Sequence, residues 1–136
     1  MKKTALFSLL IILTFSLHSI GQRTAKNLTF CKAYFSTENL LKLSMKYNDN
    51  EESFNLFILE TNKAVIRAKN LLEELEPTIK AKITKEELED LKKSIQFMND
   101  RSTTSGSFDQ SALMKLTLWF QLAENKLNPI FIKLLK

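Results

Sequence analysis

From Phe54 to Leu75, core-type side chains return every third or fourth residue: Phe54, Phe57/Ile58, Thr61, Ala64/Val65, Ala68, Leu71/Leu72 and Leu75. Only an α-helix brings such positions to one side. One helix cannot bury that stripe by itself, so the rest of the chain must supply partners for it.

Composition says what those partners are. Beyond residue 21 the chain holds 18 Leu but one Val, Val65, and one Gly, Gly106. Leu, Lys, Glu and Ala favour helices, while strands favour β-branched and aromatic residues. Breaking signals are few: Asn48-Asp49-Asn50, Pro77, the stretch from Ser102 to Ser107, and Asn128-Pro129.

These signals delimit four segments. The first helix is expected from about Thr24 to Tyr47. Leu28, Cys31, Tyr34/Phe35, Leu41 and Met45 lie on one side, and Leu40, Leu43 and Tyr47 on another. The phase shifts near Ser36-Thr37, two residues able to cap a helix, so a kink or break is expected there. The second helix spans Glu51 to Glu76 and should end or kink at Pro77, which lacks an N–H and crowds the preceding turn. The third opens at Thr84, with Glu87 three places on, as a capping box. Its core stripe is Leu88, Leu91, Ile95 and Met98. The fourth opens at Ser107 with Gln110 in the same spacing. Its stripe is Phe108, Ala112/Leu113, Leu116, Trp119/Phe120, Ala123 and Leu127. Asn128-Pro129 should end or bend it. The apolar tail Ile130, Phe131, Leu134 and Leu135 is expected to dock on the open end of the bundle. The fold class that follows is all-α: an antiparallel bundle of about four helices.

The bundle is preceded by a leader. Met1-Lys2-Lys3 is basic, Ala5 to Leu17 is mostly apolar, and Ser19-Ile20-Gly21 ends on a small-x-small pattern. These are the three parts of a secretory signal peptide. The apolar run is short of the ~20 residues of a spanning helix. The Lys-Lys start and the Gly-Gln exit resemble bacterial signal peptides, particularly those of Bacteroidetes; the resemblance covers the leader alone. The expected organisation is a cleaved signal peptide over residues 1–21 and one helical-bundle domain over 22–136. Loss of Lys2 and Lys3 lowers the formal charge from +5 to +3. An exported chain with so small an excess is not expected to bind nucleic acid. Its expected place is the periplasm or the medium.

The chemistry is defined mostly by exclusion. The single His, His18, lies in the leader, which removes His-based nucleophile systems and His metal sites from the domain. One Cys excludes Cys-rich clusters, and one Gly excludes a phosphate-cradling glycine loop. No enzyme activity, cofactor or metal is expected. The window Asp49 to Glu60 partly mimics a calcium loop, but Phe54 stands where the sharp turn needs Gly. Cys31 reads as a small buried hydrophobe, with pairing to another chain as its functional alternative. Lys80, Lys82, Lys85, Lys92 and Lys93 interleave with acids and read as a solvated face.

Two functional readings remain. Leu56, Leu59 and Ile66 lie off the core stripe of the second helix and form a candidate partner surface, with another envelope protein as the partner. The rival is a carrier for a small apolar ligand or lipid, held in a pocket among Phe54, Phe57, Trp119 and Phe120. Membrane contact by the lysine-bearing tail is expected to be weak.

Overall fold

The computed structural model describes residues 2–46, 51–102 and 110–136, with the backbone alone over 2–17 and at 44, 46, 53, 101, 102 and 110–113. Among the described residues there are five helices: α1 (Lys2–Tyr34), α2 (Thr37–Lys46), α3 (Glu51–Lys82), α4 (Lys85–Ser102) and α5 (Gln110–Leu135). No strand occurs among the described residues. The described residues are all-helical and pack in a bundle-like arrangement.

The count is five because the first expected helix divides at Phe35–Ser36. The Ser36 hydroxyl accepts the Asn39 N–H at 3.2 Å, so Ser36 caps the start of α2. It also donates to the Ala33 carbonyl at 2.7 Å, and the Asn39 amide donates to the Tyr34 carbonyl at 3.0 Å. Both helix ends at the break are therefore hydrogen-bonded, which lets the apolar phase shift between α1 and α2. At its other end α1 extends far beyond the expected start at Thr24. Its backbone is helical from Lys2, and among the described side chains the core begins at Leu28.

Of the two outcomes expected at each proline, an end or a distortion, neither helix takes the end. Helix α3 does not end at Pro77 but runs on to Lys82, with its kink at Leu75 (φ −131°, ψ 19°). Pro77 removes one backbone donor, yet the turns beyond it bury Ile79 and Ile83 in the core. Likewise Pro129 does not end α5. The helix continues to Leu135 and buries Ile130, Phe131 and Leu134, so the tail is docked. The Phe131 ring lies parallel to that of Phe35, with centroids 6.3 Å apart.

The expected capping box forms at the α3–α4 corner. The Glu87 N–H donates to the Thr84 hydroxyl at 3.1 Å, and the Thr84 N–H donates to the Glu87 carboxylate at 2.9 Å. The Ser107–Gln110 box lies outside the described residues at Ser107.

Helix α3 packs between α1 and α4, α5 closes against α1 and α4, and α2 lies over α5 and α3. Successive contacts give the directions. Arg23 meets Glu74, Cys31 meets Ala64 and Tyr34 meets Thr61, so α1 and α3 run antiparallel. Glu87 pairs with Lys133 and Asp90 with Lys126, so α4 and α5 do too. The stripe from Phe54 to Leu72 faces this interior, with Ile58 half-buried at its edge.

Candidate functional site

Helix α3 has two faces because it is buried on one side only. Opposite the core stripe, Leu56, Leu59 and Ile66 keep 54%, 50% and 51% of their surface exposed. Steps of three and seven residues place them in one line along the outer side of α3. Within that line the Lys63 ammonium pairs with Glu60 at 2.8 Å, so the strip is apolar with one internally neutralised charge pair. The three residues named from the sequence thus share one exposed line.

The proposed ligand residues have a different setting. Phe57 stacks on Trp119 with centroids 6.0 Å apart and meets Phe120 at 5.5 Å. Phe120 also meets Tyr34 at 5.6 Å. Phe54, one turn before Phe57, is buried as well. Phe57, Trp119 and Phe120 come together, and Phe57 and Phe120 retain only 1% exposure and act as solid core.

A concave feature lies beside them. A groove of about 260 Å³ runs between α4 and α5, floored by Phe97, Trp119 and Leu122 and flanked by Lys93 and Lys126. Of these, only Trp119 was a sequence candidate. Phe97 and Leu122 lie off the core stripes of their helices, as Leu56 and Leu59 do on α3, and that leftover position is the signal that finds them. Met114 and Leu118 continue the track from Leu122 at four-residue steps, both exposed.

The basic cluster is tied into the bundle. Lys80 and Lys92 converge on Glu76 at 2.8 and 3.1 Å, and Lys93 faces Glu89 at 3.9 Å. Lys82 donates to the Leu134 carbonyl at 3.2 Å, satisfying an acceptor in the last turn of α5. The two lysines beside Glu76 hold its carboxyl below the ordinary range. Hydrogen bonds from Lys133 and from the Thr84 N–H do the same for Glu87.

Cys31 is 2% exposed, and its thiol donates to the Ala64 carbonyl at 3.5 Å. Burial pushes that thiol up to about 12 against a smaller opposing pull from Arg67. It is a thiol, not a thiolate, at neutral pH, which is the setting of an inert core cysteine. Burial likewise raises the Tyr34 hydroxyl, opposed in part by its bond to Thr61. The Arg67 guanidinium lies over the Phe30 ring at 3.7 Å.

Asp49 of the calcium-like window lies outside the described residues. From Glu51 to Glu60 the window is helix, so its acids stand along an α-helix and not around a loop. Among the described residues no three His, Cys, Asp or Glu converge, and no helix is long and apolar enough to cross a membrane.

No protein-family model, curated protein or solved structure matches this chain.

Proposed function

We propose that this chain is a small exported, non-catalytic binding module of the cell envelope. In this reading residues 1–21 are a cleaved signal peptide. Residues 22–136 form an antiparallel four-helix bundle, with α2 as a short arm that follows the first helix. The mature domain works in the periplasm or outside the cell and presents the outer face of α3 to another envelope protein.

One observation carries the reading. Leu56, Leu59 and Ile66 stand half-exposed in a single line on a helix whose opposite face is fully packed. An apolar line on a helix matches the anchor spacing by which helices dock in partner grooves. The aromatic rings of the interior fill it against one another, which favours this surface over a ligand held among them. The absence of His, and the single Cys and Gly beyond the leader, leave little catalytic chemistry to assign.

The test is substitution on that line. Leu56→Glu with Ile66→Glu should leave the melting temperature of the purified protein within a few degrees, because both side chains are already half in water. The same pair should abolish co-purification of the envelope partner. Retained co-purification with an intact fold overturns the proposal.

A further inference from the structure

The groove between α4 and α5 shares no residue with the outer face of α3, so it stands or fails independently of that surface. Its two ends differ. The antiparallel pairs Glu87–Lys133 and Asp90–Lys126 set the register, which brings Lys93 and Lys126 to the same end. Their ammonium groups reach toward Glu89 and Asp90 at 3.9 and 3.5 Å. Both lysines are more than half exposed, so these long pairs are weak and an incoming anion can exchange for either acid. Toward the other end the floor is Phe97, Trp119 and Leu122. Beyond Leu122 the exposed track continues over Leu118 to Met114.

We propose that this groove binds a single-chain anionic amphiphile of the fatty-acid class. The carboxylate sits between Lys93 and Lys126, and the acyl chain lies over Phe97, Trp119 and Leu122. An apolar cavity of about 150 Å³ holds one benzene, and drug-sized pockets begin near 300 Å³. A groove of about 260 Å³ therefore holds part of one acyl chain. The remainder of the chain follows Leu118 and Met114. The two lysines favour an anionic headgroup that replaces Glu89 and Asp90 as their partner.

Trp119 is the single tryptophan of the chain and lines the groove, so its fluorescence reports occupancy directly. The full chain is titrated with laurate below its micellar concentration. Dodecyltrimethylammonium, of equal chain length and opposite charge, is titrated in parallel. Expected is a saturable Trp119 signal with laurate. It should be weakened about tenfold in Lys93→Glu with Lys126→Glu and lost in Leu122→Glu, while the cationic amphiphile binds no better than to that last variant. Leu122 is partly in water, so its substitution leaves the core intact; circular dichroism checks that each variant stays helical. A linear, non-saturating response, equal binding of the two headgroups, or laurate binding unchanged in Leu122→Glu overturns the proposal.

Discussion

The Tyr34 hydroxyl and the Thr61 hydroxyl lie 2.5 Å apart in the interior, joining α1 to α3. Thr61 has no exposed surface, and the Tyr34 hydroxyl also donates to the Phe57 carbonyl at 3.3 Å. Around this polar pair pack Phe35 and Phe120, with ring centroids 5.2 and 5.6 Å from that of Tyr34. A hydroxyl pair inside an apolar core is favourable only while each hydroxyl keeps its partner.

That condition gives the first prediction. Tyr34→Phe leaves the Thr61 hydroxyl buried without its partner and should cost about 1–3 kcal/mol in urea unfolding. Removing both hydroxyls, in Tyr34→Phe with Thr61→Val, should cost less than the sum of the two single changes. Strict additivity would show that the pair is not coupled.

Docking of the tail gives the second. Phe131 is 1% exposed and stacks against Phe35, so Phe131→Ala should destabilise by about 3–5 kcal/mol through lost burial and a residual cavity. Its neighbour Ile132 is 42% exposed, and Ile132→Ala should change stability by under about 0.5 kcal/mol. Equal midpoints for the two variants in denaturant would contradict a docked tail.

Sequence spacing made much of this legible. The stripe from Phe54 to Leu72, the capping box at Thr84 and Glu87, and the break at Ser36 all rest on local rules, and each is present in the fold. At Pro77 the sequence leaves two outcomes, an end or a kink, and the fold takes the kink, at Leu75, because a proline acts locally while burial does not. Ile79 and Ile83 beyond Pro77, and Ile130 and Phe131 beyond Pro129, gain more from the core than one missing backbone bond costs. The outer line of α3 was visible as residues left over from a stripe. The α4–α5 groove was not, because Phe97 and Leu122 become neighbours only once the register between their helices is set.

Acid should weaken the bundle. The Glu76 and Glu87 carboxyls are held below their ordinary value of 4.5 in the folded chain. A depressed folded value means that the unfolded chain binds protons first. The stability from these contacts is thus complete above pH 4.5 and is lost as the pH falls through the lower folded values. Glu76→Gln with Glu87→Gln should flatten the acid limb of a plot of melting temperature against pH. A limb as steep as that of the parent chain would assign acid sensitivity to other groups.

The thiol of Cys31 should be silent. With its titration pushed to about 12 and 2% of its surface exposed, labelling by a thiol reagent at pH 8 should wait on unfolding. Adding denaturant should accelerate the reaction by orders of magnitude. Rapid labelling of the folded protein, or a disulfide-linked dimer on a non-reducing gel, would place Cys31 at a surface.

The most direct test of the outer face of α3 is site-specific photo-crosslinking in living cells of the native host. A photoreactive residue at Leu59 should give one discrete adduct with an envelope protein. The adduct should vanish when Leu56→Glu and Ile66→Glu are added, and should be missing when the probe is placed at exposed Gln121 on α5. No adduct at Leu59, or the same adduct at Leu59 and Gln121, would contradict a partner surface on α3.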